Sequence, residues 1–563
     1  MSDIKLPGCK EFGHLTLLRE PRRITSKEFN AFAPGERLEI IRRARGSQKY
    51  ALLVEAHDGE ALVAEMAAQE LFLLIKEIGR EDVGELIAWA TTEQFTTFLD
   101  LDIWHGDQLD PVAMLHWLQL LLDAGEDKVM QLAYQLDFEL LVLMVKRFVN
   151  ISRGPEDASD DDQGGQPASG YEVEYLDVEG GKVVGAFLDV LYRLDPQLTH
   201  NLLRTVRWEQ NSLLEEEVFQ GRCRRLEEFG FVDPIAAQAL YAWFDPATFS
   251  PADYRKDSVP PPNDGAVPPG FLLTATAPQD LLAEVFAKGL RPEECWELSY
   301  LLNAVLSAER VEVGDPEQVQ AALEQVYRCL NLALEHLCGS DGAAACELFG
   351  QVYLQPLFRL GFSLTLGLQR QAKALLNSPL APYFDPAGRA LLQAVSGKKP
   401  QFYEGLANPG LKGSRPFKTL DDLRRATLGL QRLELQRALF GEDLPFSPAA
   451  AEDMDLNGCA PAQAEDLKLS DLFLTALANR LLGRSFLPQP IPVAELPQLH
   501  QRVCQQGRLG ETLRQETVLW LESMRPGAGA FAAECLAIWA EEFCPLSPQN
   551  LDPRYLSGLI IRL

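Results

Sequence analysis

Apolar residues recur at helical spacing along most of the chain and alternate at strand spacing in one place. In PVAMLHWLQLLLDAG (111–125) the positions Val112, Leu115, Leu118, Leu121 and Leu122 fall at helical intervals. Asp110 with Pro111 reads as an N-cap and first-turn pair, and Gly125 as the stop. Thr25 with Glu28, and Thr91 with Gln94, have the spacing of capping boxes ahead of further periodic stretches. Ser470 is expected to cap DLFLTALANRLLG (471–483), with Leu474, Leu477 and Leu481 as its stripe and Gly483 as its stop. The alternating pair is YEVEYLDV (171–178) and KVVGAF (182–187) around Gly180-Gly181, which predicts a small β-hairpin within 171–187. The expected fold class is therefore mainly all-α.

Residues 68–149 carry a further regularity. Short units follow one another: REDVGELIAWA (80–90), TTEQFTTFLDL (91–101), the longer 111–125, EDKVMQLAYQL (126–136) and DFELLVLMVKRFV (137–149). Such short amphipathic helices cannot bury their faces alone and must stack, so the pattern predicts an irregular helical-repeat, superhelical architecture. Three stretches interrupt the helical pattern. They are the acidic, Gly/Pro/Ser-rich linker 154–170, the proline-rich linker or loop 256–270, and a loop over 441–466. They divide the chain into an N-terminal short-helix repeat domain (1–153), a hairpin-plus-helix block (171–255), a central helical domain (271–440) and a C-terminal helical segment (467–563).

Charge narrows the choice of partner. The 81 acidic and 52 basic side chains give a formal net charge of −29, which repels phosphate backbones and anionic membrane surfaces. Nucleic acid is thus disfavoured, and a protein partner or a cation favoured. No apolar run reaches the roughly 18 residues of a membrane span, and MSDIKLPGCKEFGH lacks the basic start and apolar core of a signal peptide. No membrane insertion is expected. The ten cysteines are scattered with no CxxC pair, as expected of reduced thiols in the cytoplasm.

The segments GERLEIIRRARGSQKYALLVEAHDGEALV (35–63), EQFTTFLDLDIW (93–104), ELSYLLNAVL (297–306), LFRLGFSLTLG (357–367) and DLFLTALANRLLG (471–483) resemble an uncharacterised bacterial family, a domain of unknown function found among delta-proteobacteria. That resemblance spans most of the chain and implies no activity. REDVGELIAWATTEQFTTFLDL (80–101) resembles the short-helix repeats of the intracellular N-terminal domain of MgtE-type magnesium transporters, which are similar to repeats of the flagellar motor-switch protein FliG. The transporter likeness implies a cation-sensing regulatory domain without the membrane pore.

The candidate chemistry centres on DLDIWHGD (100–107). An EF-hand loop beginning at Asp100 needs oxygen ligands at its first, third and fifth positions, Gly at the sixth and Glu at the twelfth. Asp100 and Asp102 comply, but Trp104, His105 and Pro111 do not. A looser site for Mg²⁺ or Ca²⁺ would use Asp100, Asp102 and Asp107, and this is the one cofactor considered. The plainer reading, which we favour, is a capped turn: Asp107 or Asp110 caps the next helix while Leu101, Ile103 and Trp104 fill the core. His105 and His116 are separated by Pro111 and read as structural. Cys329, His336, Cys338 and Cys346 form the densest sulfur and imidazole cluster, and read as buried small side chains rather than metal ligands. A basic stretch, Lys398, Lys399, Lys412, Arg415 and Lys418 with Phe402, Tyr403 and Phe417 interleaved, is a candidate site for an anion or an acidic partner. Pairing with the protein's own carboxylates is the stronger reading there, and RRAR (42–45) reads the same way. GxSxG, HExxH, P-loop and GxGxxG signatures are absent, which argues against an enzyme. The functional expectation is a protein-interaction scaffold or regulatory adaptor, with a divalent-cation sensor or metal-dependent enzyme at Asp100–Asp107 as the alternative.

Overall fold

Helices carry most of the described chain, and every sheet is small. A computed structural model of the protein describes residues 4–7, 21–24, 26–44, 46–79, 83–153, 171–256, 280–446 and 454–563. The residues group into two compact units, Met1–Gly361 and Phe362–Leu563. No described helix is long and apolar enough to cross a membrane.

In the first unit the short helices form where the periodicity predicts, although Pro111–Asp123 buries Ala113, Met114, Trp117, Leu118, Leu120 and Leu121 and leaves Val112 of the expected stripe exposed. Helices Ala68–Ile78, Gly84–Trp89, Thr92–Asp102, Pro111–Asp123, Glu126–Gln135 and Phe138–Lys146 succeed one another. Thr91 and Gln94 form the expected capping box: the Gln94 amide donates to Thr91 Oγ1 (3.2 Å) and the Thr91 amide donates to Gln94 Oε1 (2.8 Å). The Gln94 side chain then donates to the carbonyls of Val63 and Met66 (2.8 Å each), so one residue both starts its helix and pins the preceding turn. Phe95, Phe98 and Trp117 are fully buried, with Trp117 edge-on to Phe95 and stacked on Phe98 at 5.7 Å. The Thr25 cap and the linker 154–170 lie outside the described residues.

The hairpin is the first correction. Strand Tyr171–Tyr175 pairs antiparallel with Val149–Arg153, not with 182–187, and its register puts Ile151 opposite Val173. Residues Val178–Leu194 form a helix, capped by Asp177 accepting the Gly180 amide at 2.6 Å. Gly180 and Gly181 serve close packing rather than a turn. A Cβ on Gly180 would lie 2.9 Å from the Phe148 ring, and one on Gly181 would lie 3.2 Å from Tyr175 Cβ. Two glycines with β-branched neighbours imitate a turn between strands when the neighbouring ring is not visible in the sequence.

The second unit packs helices Pro386–Ser396, Leu420–Ala438, Leu469–Leu481, Glu511–Met524 and Ala528–Ile538 around buried aromatics including Phe440, Phe473 and Phe531. Ile561–Arg562 is the central strand of a three-stranded sheet, between Ile491–Pro492 and Cys459–Ala460. Gly483 turns the chain after Leu469–Leu481 as expected, at φ 88°. The cap is a second correction. Lys468 occupies the N-cap position, and its amide donates to Asp471 at 3.0 Å, while Ser470 is a buried residue inside the first turn whose hydroxyl donates to Asp385 at 3.1 Å. A carboxylate at the third helical position satisfies the free amide better than a hydroxyl one residue away.

One device occurs once in each unit. Helix Thr92–Asp102 runs into the two-residue strands Trp104–His105 and Gln108–Leu109, then into helix Pro111–Asp123. Helix Leu496–Val503 likewise runs into Cys504–Gln505 and Arg508–Leu509, then into Glu511–Met524. Both hairpins are closed by the same backbone bond: the Asp110 amide donates to the Ile103 carbonyl (2.8 Å) and the Gly510 amide to the Val503 carbonyl (2.9 Å). Left-handed glycines, Gly125 (φ 107°) and Gly527 (φ 89°), then start the third helix of each copy.

Candidate binding cleft

DLDIWHGD ends one helix and makes the first hairpin, and it borders a cleft of about 1130 Å³ in the first unit. Helix Asn211–Glu227 supplies Phe219, Arg222, Cys223 and Leu226 to the wall. The segment 231–235 and the stretch from the end of helix Pro292–Glu309 to Asp315 complete it. Val112 and Ile235 stand at 76% and 77% exposure, large apolar side chains left in water at this cleft.

The three candidate aspartates diverge. Asp100, 2% exposed, receives a two-pronged hydrogen bond from Arg225 (Nε 2.7 Å, Nη2 2.9 Å), and its carbonyl accepts from Arg222 Nε at 2.7 Å. Burial pushes the Asp100 carboxyl above its usual range, against the pull of the Arg225 guanidinium. Asp102 pairs with Lys76 and accepts the Trp117 indole N–H at 2.8 Å. Asp107 lies exposed on the hairpin turn. Two residues apart on a helix, Asp100 and Asp102 project to different sides, which is why each finds its own cation. Among the described residues no group of three or more His, Cys, Asp or Glu side chains is arranged to hold a metal ion. A divalent cation at Asp100 or Asp102 would have to displace Arg225 or Lys76.

The cap assigned to Asp107 or Asp110 belongs to Asp110, which accepts the amides of Val112 (2.9 Å) and Ala113 (3.2 Å). Its other oxygen lies 3.3 Å from His105 Nε2, and His105 Nδ1 lies 3.6 Å from Glu312. Further carboxylates at the cleft are also helix caps: Asp233 for Pro234–Ala237 and Asp315 for Pro316–Cys338. The Gln318 side chain, with backbone amides, holds the Asp315 carboxyl below its usual range. With Asp107 and Glu227, these groups make the lining acidic, against Lys76, Arg222 and Arg310. Arg310 ends its helix in the left-handed region (φ 53°).

The basic stretch is organised by its own carboxylates. Strands Gln401–Tyr403 and Ser414–Pro416 pair, and Arg415 makes two bonds to Asp422 (2.7 and 2.8 Å) while stacking 4.6 Å from the Phe402 ring. Phe402, Tyr403 and Phe417 are buried core rather than an exposed stacking platform, and Lys398, Lys399, Lys412 and Lys418 are exposed around them. Cys329 is buried and accepts from Gln325 at 3.4 Å; His336, Cys338 and Cys346 lie outside the buried core.

Sequence reasoning missed Arg222, Arg225 and Phe219. Their signal, QGRCRRLE in an amphipathic stretch, reads as a solvated basic face, and nothing local links it to Asp100.

The fold and the cleft define a mainly α-helical protein built on stacked short helices and two helix–hairpin–helix devices. The chain belongs to a family of unknown function, DUF6178, whose model matches residues 26–562. No curated protein and no solved structure matches it.

Proposed function

We propose that this protein is a binding scaffold or regulatory adaptor, working in the cytoplasm, that holds a segment of a partner protein in the cleft beside the 104–109 hairpin. The observation that carries this reading is the cleft itself: open, large enough for a peptide segment, partly apolar, and acidic in its charged lining. Charge complementarity sets the partner's chemistry, namely apolar side chains flanked by Lys or Arg. The cation-sensing alternative has less support, because Arg225 and Lys76 already neutralise two of its three carboxylates.

A photo-crosslinking residue placed at Val112 or Ile235 in living cells tests the reading, with the similarly exposed Leu519 of the second unit as control. One discrete adduct, the same from positions 112 and 235 and absent from 519, is expected. No adduct from either cleft position would overturn the proposal.

A further inference from the structure

Several charges lining the cleft are ion-paired or cap helices, whereas among the described residues Arg222 makes no ion pair. A guanidinium carries five N–H donors. Arg222 uses Nε on the Asp100 carbonyl, and the Asp100 carboxylate is already occupied by Arg225. Among the described residues no carboxylate makes an ion pair with Arg222. Its guanidinium packs instead on aromatic rings, 5.8 Å from the centre of Trp104 and 5.7 Å from that of Phe219. Burial there pulls its pKa down by more than the nearby Asp100 carboxylate pushes it up. Trp104, on the same cleft wall and 6% exposed, has an indole N–H with no acceptor. A buried donor is normally satisfied, so the unpaired Trp104 N–H beside the half-buried Arg222 fork, whose Nη groups have no carboxylate partner, points to a missing acceptor on this wall.

We infer that Arg222, backed by Trp104, forms a carboxylate-binding subsite in this cleft. The inference rests on the cleft being the recognition site, and it adds the chemistry of the anchor. The planar fork of arginine matches a carboxylate, and the stacked rings fix its plane. The acidic lining selects against phosphates and other multiply charged anions, so the ligand is a monocarboxylate on an apolar or basic body. That carboxylate belongs to an acidic side chain or free C-terminus of the partner segment, or to a small organic acid.

Benzoate is the probe, with uncharged benzamide as its isostere, and binding is followed by ligand-observed NMR and by the Trp104 indole N–H resonance. Benzoate is expected to bind and shift that resonance, and benzamide to do neither. Arg222→Gln should abolish binding, Arg222→Lys should weaken it roughly tenfold by losing the fork, and Trp104→Phe should weaken it a few fold. Circular dichroism and melting confirm that each variant is folded; should Arg222→Gln fail to fold, Arg222→Lys carries the test. Benzoate that does not bind, or binds equally to the Arg222 variants, overturns the subsite while leaving the crosslinking result to judge the cleft. The source is settled by two Lys-flanked apolar peptides, one with an internal Glu and an amidated end, the other with Gln and a free end. Binding of either identifies the peptide carboxylate, and benzoate binding without either assigns the subsite to a small acid, leaving the crosslinking result to judge the partner segment.

Discussion

The hairpins at 104–109 and 504–509 share a backbone and almost no chemistry. At a constant offset, Leu99 answers to Leu499 and Ile103 to Val503, all fully buried, and Leu109 answers to Leu509 in the same register position. The polar positions do not correspond: Asp100 answers to His500, Asp102 to Arg502, Trp104 to Cys504, Asp107 to Gly507 and Asp110 to Gly510. The second copy closes its turn without one aspartate. The carboxylates that make DLDIWHGD conspicuous are therefore not required by the turn, and their roles come from what surrounds it. In the first unit they reach Arg225, Lys76 and Trp117 on other helices, and so fasten the wall of a cleft. In the second, His500 packs 5.2 Å from the Phe543 ring, Arg502 donates to the Leu481 carbonyl, and the neighbouring Cys544 thiol pushes the Cys504 thiol up.

If this contrast is right, the largest effect should come from Asp100. Asp100→Ala leaves the Arg225 guanidinium without its two-pronged partner in a largely buried setting, and we expect a loss of about 3 kcal/mol, the lower end for breaking such a pair because Arg225 is partly exposed. The double change Asp100→Leu/Arg225→Met should recover most of it. Urea denaturation measures both, and a loss below about 1 kcal/mol would make Asp100 an ordinary surface acid.

Asp102 comes next. Asp102→Asn weakens the Lys76 pair but keeps an acceptor for the Trp117 indole, so a loss of about 1–2 kcal/mol is expected. The same measurement decides the cation reading. A divalent ion bound only to the folded state at a hundred times its dissociation constant stabilises by about 2.7 kcal/mol. With Lys76 and Arg225 in place, Mg²⁺ or Ca²⁺ should shift the melting temperature of wild type and of an Asp102→Asn/Asp107→Asn variant equally. A rise confined to wild type would reinstate the metal site.

These predictions also mark what the sequence could tell. The Thr91–Gln94 box, the Asp110–Pro111 start and the Gly125 and Gly483 stops were legible because each is decided within a few residues. Gly180-Gly181 and Ser470 were misread because the deciding groups, the Phe148 ring, Tyr175 and the competing Asp471 carboxylate, lie beyond that local pattern or enter it as rivals. The cleft was half legible: DLDIWHGD drew attention, but Arg225 lies 125 residues from the carboxylate it holds. No periodicity carries a pairing across that distance. Closeness in sequence does not make Asp100 and Asp102 point the same way, since residues two apart on a helix project to different sides.

A smaller effect comes from one carboxyl of the second unit and is read by pH. The buried Asp471 of the second unit has no arginine fork like that on Asp100, and burial pushes its carboxyl up to about 6 even though it accepts the Lys468 and Gly558 amides. Its folded-state pKa is thus above the unfolded value of about 3.9. Its contribution to stability is full below the unfolded value and is lost as pH rises through about 6. We expect wild type to lose about 1–2 kcal/mol from this group between pH 4 and pH 7, less than the full linkage because neighbouring backbone relaxes. Asp471→Asn should flatten that part of the stability profile. An unchanged slope in the variant would place the titration elsewhere.

The smallest effect tests whether the two turns are alike in detail. In the first hairpin only Gly106 has positive φ (67°), the pattern of a type II′ turn; in the second both Gln506 (52°) and Gly507 (72°) do, the pattern of type I′. The left-handed region costs a residue with a Cβ about 1 kcal/mol, so Gln506 bears a strain that Asp107 does not. Gln506→Gly relieves it but adds freedom to the unfolded chain, for a net gain of about 0.5 kcal/mol; Gln506→Asn, which tolerates the conformation with less entropy lost, should do at least as well. Asp107→Gly has no strain to relieve and should cost a few tenths of a kcal/mol through the unfolded state. Opposite signs at these two central turn residues, the first of one hairpin and the second of the other, follow from the φ angles alone. A gain at both would mean that Asp107 also takes positive φ and that both hairpins close through type I′ turns in solution, leaving their difference wholly to the side chains around them.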